Sequence, residues 1–239
     1  MPLAFFDQRW PQLVHLSAIF SIDPGANRVP VAAFFRAHSQ LRRFVARKDG
    51  TFFQDVQPTL KELRLIDAGF EDVMAVLRDP DSGVAAVKMS DVTVRELITR
   101  SQAERLYQAA AISEKGQYVK TLQLFFMTGR EIALVNHEML QGMARAFPNL
   151  QTVMISGSFP PTSDLAHFAS INIRRRGGIS QPPPISDYPL VLGDFVWACP
   201  NLQYIAFLSR TQPARVLRNG EGYLVSLDWD QDDMGWFGL

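Results

Sequence analysis

A short apolar pattern recurs along most of this chain, and it constrains the fold more than any other feature. It reads apolar, two free positions, apolar, one free position, apolar. It occurs as Leu13-x-x-Leu16-x-Ala18, Leu41-x-x-Phe44-x-Ala46, Leu60-x-x-Leu63-x-Leu65, Val84-x-x-Val87-x-Met89 and Val119-x-x-Leu122-x-Leu124. Two of the clearest copies come late, in Phe147-Pro148-Asn149-Leu150-Gln151-Thr152-Val153-Met154-Ile155 and Cys199-Pro200-Asn201-Leu202-Gln203-Tyr204-Ile205-Ala206-Phe207. Leu224-x-x-Leu227-x-Trp229 is a candidate eighth. The first positions, 13, 41, 60, 84, 119, 150, 202 and 224, are separated by 28, 19, 24, 35, 31, 52 and 22 residues. Leucine-rich repeats run about 20 to 29 residues, so most of this spacing suits them, and the gap of 52 requires an insertion.

In a strand, alternate side chains point to opposite faces, so the last two apolar positions of each copy share one face. A single copy cannot bury that face, and stacking the next copy covers it. Stretches with helical spacing lie between the copies: 31–37, 70–77, 137–147 and 192–198. The run from Val92 to Ile112 reads as the longest helical region. The expected architecture is an α/β leucine-rich-repeat solenoid forming one domain over 1–239. It has a curved parallel sheet, helices on the outer face and a C-terminal hairpin cap. The hairpin follows from Asn219-Gly220-Glu221-Gly222 between two apolar runs, inside a capping segment over 214–239. Residues 157–190 carry six prolines and Arg174-Arg175-Arg176, and read as an inserted, solvated loop.

Composition narrows the function. The formal net charge is zero, which gives no reason to expect nucleic acid or an anionic membrane as partner. One cysteine, Cys199, permits no disulfide within the chain and suits a reducing compartment, cytosol or nucleus. No apolar run approaches the roughly 18 residues of a membrane span. Catalytic and metal motifs fail on particular residues. His137-Glu138 opens like a zinc-protease signature, but Gln141 stands where the second His belongs. Asp228-x-Asp230-x-Asp232 opens like a calcium loop, but positions six and twelve are Asp233 and Leu239. The four histidines have no metal-ligand spacing, and Cys199 reads as a small buried residue. No catalytic residue, cofactor or metal is expected.

The segments Ala146-Phe147-Pro148-Asn149-Leu150-Gln151-Thr152-Val153 and Ala198-Cys199-Pro200-Asn201-Leu202-Gln203-Tyr204-Ile205-Ala206 resemble repeats of fungal F-box proteins with irregular leucine-rich repeats. Arg218-Asn219-Gly220-Glu221-Gly222-Tyr223 is similar to the C-terminal segment of that group. The resemblance spans roughly residues 10 to 230. It implies a repeat domain that recruits a substrate to an SCF ubiquitin ligase. The residues ahead of Leu13 are too few for an F-box, so contact with the SCF adaptor is expected only if one lies upstream.

The function expected is therefore a non-enzymatic scaffold holding a protein partner on a concave strand face. An enzyme built around 157–190 is the alternative. The residues flanking each buried pair should form that face: His15 and Ser17; Arg43, Val45 and Arg47; Glu62 and Arg64; Lys88 and Ser90; Thr121, Gln123 and Phe125; Thr152, Met154 and Ser156; Tyr204, Ala206 and Leu208. Arg43, Arg47, Arg64 and Lys88 would make the early end basic. Phe125, Met154, Tyr204 and Leu208 would make the late end apolar, as suits an interface core. Beneath them, Leu63, Leu65, Leu122, Leu124, Val153, Ile155, Ile205 and Phe207 should stack in a buried ladder.

Overall fold

A computed structural model of the chain describes residues 5–19, 28–46, 52–53, 60–78, 88–126, 137–156, 195–207 and 214–228. These residues form one nine-stranded sheet whose strands lie in sequence order. The strands are β1 (His15–Ala18), β2 (Arg43–Ala46), β3 (Leu65–Ala68), β4 (Asp91–Ile98), β5 (Thr121–Phe126), β6 (Thr152–Ser156), β7 (Tyr204–Phe207), β8 (Ala214–Arg218) and β9 (Leu224–Asp228). Pairing is parallel from β1 to β7 and antiparallel from β7 through β9. The fold is thus α/β with a mostly parallel sheet. Helices α1 (Arg28–Ala37), α2 (Phe70–Leu77), α3 (Arg100–Ile112) and α4 (His137–Ala146) fall between strands, and a short helical turn covers 195–198.

The register identifies the repeating unit. Leu16, Phe44, Ile66, Val92, Leu122, Val153 and Ile205 occupy one row, each paired with its neighbour on the next strand. All are buried, as are Ala18, Ala46, Ala68, Val94, Leu124 and Ile155 two residues on. Three residues before the row stand Leu13, Leu41, Leu63, Met89, Val119, Leu150 and Leu202, all fully buried but the first. The backbone repeats with them. The carbonyls of Val14, Arg42, Arg64, Ser90, Lys120 and Gln151 each accept two N–H bonds from the next unit, as when Arg64 and Leu65 both donate to Arg42.

This register corrects two copies. The third is Leu63-x-x-Ile66-x-Ala68, not Leu60-x-x-Leu63-x-Leu65, and Leu65 is half-exposed on the opposite face. The fourth is Met89-x-x-Val92-x-Val94; the expected Val84 and Val87 lie outside the described residues. First positions at 13, 41, 63, 89, 119, 150 and 202 give gaps of 28, 22, 26, 30, 31 and 52, more even than the sequence spacing suggested. The cause is a tight turn ahead of six of the seven first positions. The N–H groups of Leu13, Leu41, Leu63, Val119, Leu150 and Leu202 donate to the carbonyls of Trp10, His38, Leu60, Gly116, Phe147 and Cys199, three residues back. The turn residue is itself apolar in several units. Leu60 therefore stands to Leu63 as Leu63 stands to Ile66, and the pattern can be read in two frames.

The run from Val92 to Ile112 is a strand followed by a helix, not one helix. Asp91–Ile98 has Val92, Thr93 and Val94 stiff at χ1 and joins the sheet as β4. Thr99 then begins α3 with a capping box: its side chain accepts from the Gln102 N–H, and the Gln102 side chain accepts from the Thr99 N–H. Ala103, Leu106, Tyr107 and Ala110 recur at helical spacing and are buried. The eighth copy is the second arm of a hairpin, β8–β9. Its turn is held by Asn219 Oδ1, which accepts from the Glu221 and Tyr223 N–H groups, and by Gly222 at φ 90°, a left-handed conformation suited to glycine.

The helices lie over the face that carries the apolar row. Phe34, Phe35, Val73, Val76, Leu77, Leu106, Leu140 and Met143 join those strand residues in one core. Polar groups tie the units together. Lys115, buried under α3, donates from Nζ to the carbonyls of Val76 and Arg78 and satisfies the end of α2. Its neighbour Gly116 lies so close to α4 that a Cβ there would sit 1.9 Å from the Ala146 carbonyl oxygen. Arg218 closes the last unit by donating to the carbonyls of Val196, Cys199, Leu202 and Gly222. The 157–190 insertion lies outside the described residues.

Candidate functional site

The opposite face of the sheet has no helix over it among the described residues. Alternation along the strands puts His15 and Ser17, Arg43 and Val45, Leu65 and Asp67, Asp91 and Thr93, Thr121 and Gln123, Thr152 and Met154, and Tyr204 there. Exposure on this face is mixed: Val45 and Thr152 are nearly covered by their neighbours, while His15, Ser17 and Arg43 are exposed. Towards β5 to β7 it becomes apolar and aromatic, with Phe125, Met154 and Tyr204 all half-exposed. Thr152 pairs with Tyr204, and Gln123 with Met154.

An irregularity in β4 shapes the middle of the face. Thr93 pairs with Gln123 and Leu97 with Phe125, so β4 carries two more residues than β5 over this stretch. The extra length places three side chains. Arg95 forms a two-pronged ion pair with Asp67 on the neighbouring strand. Glu96 reaches the start of α2 and accepts the Phe70 N–H at 2.8 Å, where Gly69 supplies no side-chain cap. Leu97, 57% exposed, lies beside Phe125. Sequence reasoning missed Asp67, Arg95 and Leu97 because the third copy was framed three residues early and β4 was read as helix. The valine and threonine cluster at 92–94 was the available signal.

The expected face residues therefore separate. Arg43, Phe125, Met154 and Tyr204 lie on strands of the open face. Glu62, Arg64, Lys88 and Ser90 do not belong to strands; they stand in the segments that lead into β3 and β4, at the sheet's N-terminal edge. Arg47 and Leu208 lie outside the described residues, as do the side chains of Ser156 and Ala206. In the expected ladder, Leu63, Leu122, Leu124, Val153, Ile155 and Ile205 are buried, Leu65 is not, and the Phe207 side chain lies outside the described residues.

Two reactive side chains, His38 and Cys199, are held in the core. His38 is fully buried, with Nδ1 2.7 Å from the Phe34 carbonyl and Nε2 accepting the Trp10 N–H at 2.9 Å. That assigns the ring proton to Nδ1. Cys199 is buried, and burial pushes its thiol up to about 12, which keeps it protonated. Among the described residues, no group of three or more His, Cys, Asp or Glu is placed to hold a metal ion, and no helix is long and apolar enough to cross a membrane. Compared with protein-family models, curated proteins and solved structures, the chain matches none.

Proposed function

We propose that the chain is a leucine-rich-repeat-type solenoid acting as a non-enzymatic scaffold, with the open strand face as the concave surface that holds a protein partner. The observation that carries this reading is the face itself. Parallel strands in the middle of a sheet are ordinarily covered on both sides, yet here Phe125, Met154 and Tyr204 stand half-exposed on adjacent strands. Aromatic and Met side chains on a rigid backbone suit the core of an interface. The sequential strand order and the seven-fold recurrence of the buried row residue, from Leu16 to Ile205, support the repeat reading. The resemblance of the late copies to fungal F-box repeat proteins extends the proposal to substrate recruitment for a ubiquitin ligase, with contact to the adaptor only if an F-box lies upstream.

The test uses face variants that leave the core intact. Tyr204→Ala and Met154→Asp should each reduce recovery of specific partners from a cell lysate by at least about tenfold, the scale of one interface anchor. Arg145→Ala, at an exposed position of α4, should leave recovery unchanged. Equal recovery by all three variants and the wild type would refute the open face as the contact surface.

A further inference from the structure

Two of the basic residues expected on the strand face, Arg64 and Lys88, stand instead along the N-terminal edge of the sheet. Arg42, Arg64 and Lys120 occupy the same backbone position in their units, the residue just before the strand. The hydrogen-bond relay fixes this: Arg42 O accepts from Arg64 N–H, Arg64 O from Ser90 N–H, and Ser90 O from Lys120 N–H. All three side chains are exposed. Lys88, one residue before its unit's first position, lies with Nζ 5.7 Å from the centroid of the Tyr118 ring, which holds the equivalent place in the next unit. Arg43 and Lys61 flank the row. Among the described residues, the carboxylates that accompany these six cations are Glu62 and Asp91, and Asp91 already accepts from the Ser90 hydroxyl.

Neighbouring strands are about 4.8 Å apart, so Arg42 and Arg64 are cations at the entrances of adjacent strands, an arrangement that costs stability on its own. Among the described residues, none of Arg42, Arg43, Arg64, Lys88 or Lys120 forms an ion pair. Elsewhere in the molecule exposed arginines do: Arg100 bridges Glu104 and Glu138, and Arg105 reaches Glu71. The unneutralised edge is local, because the whole chain has zero net charge.

We propose that this edge, from Arg42 to Lys120, docks an acidic segment of a protein partner running across β2 to β5. The span is about 14 Å, the length of roughly five extended residues, so one short acidic stretch can meet Arg42, Arg64 and Lys120 together. A protein segment fits better than nucleic acid. A chain of zero net charge lacks the overall basic excess that nucleic-acid binders carry, whereas a local acidic stretch needs only local complementarity. The proposal rests on the scaffold reading and gives that partner a second, electrostatic contact separate from the Tyr204 end.

The test is fluorescence anisotropy with a labelled oligoglutamate of about eight residues, long enough to cross the edge. A thymidine oligonucleotide of equal charge serves as comparison. The wild type should bind the oligoglutamate at low salt and release it as salt rises. Arg42→Glu/Arg64→Glu/Lys120→Glu should weaken binding by at least about tenfold, while Arg145→Glu leaves it unchanged. Circular dichroism identical to wild type establishes that the triple variant is folded; if it is not, Arg42→Gln/Arg64→Gln takes its place with the same expected direction. No wild-type binding, equal loss with Arg145→Glu, or tighter binding of the oligonucleotide would each overturn the proposal. Because this readout does not involve Tyr204 or Met154, it can fail while the face variants still lose their partner, and the reverse.

Discussion

Asp72 carries a carboxyl that the fold holds away from water. It lies in the first turn of α2, fully buried, with Oδ1 accepting the Phe53 N–H at 2.8 Å and Oδ2 without a hydrogen-bond partner among the described residues. Burial, opposed by backbone hydrogen bonds from Phe53 and Phe52 and assisted by the charges of Glu96 and Glu71, raises its carboxyl from 3.8 to about 7. In the unfolded chain the same group ionises near 3.8. Between pH 4 and 7 the native state therefore holds a proton that the unfolded state has lost, so this residue makes stability fall as pH rises through that window. The contribution is on the order of 2–4 kcal/mol and levels off above pH 7. Asp72→Asn keeps an acceptor for the Phe53 N–H and removes the titration. Urea denaturation at pH 5 and pH 8 should show a smaller loss with rising pH in the variant than in the wild type. An unchanged difference would mean that Asp72 is ionised throughout. Nothing in the sequence marked this residue, since an acidic side chain in a helix's first turn is ordinarily solvated.

At the scale of elements, the unit is set by which apolar residue turns inward. Leu63 is fully buried ahead of β3, whereas Leu65, two residues on, stands half-exposed on the open face. Leu63→Ala should cost about 2–5 kcal/mol, the usual range for deleting a buried leucine, and Leu65→Ala well under about 1 kcal/mol. Thermal or denaturant unfolding of the two variants decides the frame, and reversed costs would restore the earlier register. Much of the element pattern was legible. The repeat showed in Leu41, Leu122, Val153 and Ile205, and the intervening segment 70–77 read correctly as the helix now called α2. The late hairpin was legible from Asn219-Gly220. What failed had a physical origin. A three-residue turn ending in an apolar side chain produces the same spacing as the step from turn to strand, so Leu60, Leu63 and Ile66 fit two frames. Charged residues between Val94 and Leu97 imitate helical spacing, and only pairing with β5 shows that they form an irregular strand.

At the scale of the whole molecule, the parallel strands bring positions 22 to 52 residues apart in sequence into single rows. One row is the buried triplet, a second the open face, and a third the N-terminal edge with its cations. The candidate site was legible at its late end, where Phe125, Met154 and Tyr204 were framed correctly. It was not legible at its early end, because a frame error moved Arg64 and Lys88 from edge to face and concealed Asp67 and Arg95. The central claim is that the open strand face holds a protein partner. Its most direct test places a photo-crosslinking amino acid at position 154 on the open face and, for comparison, at position 145 on α4. Irradiation in cells is followed by denaturing purification and mass spectrometry. The expected result is one or a few proteins crosslinked through position 154 and absent from position 145. The same crosslinks from both positions, or none from position 154, would contradict it.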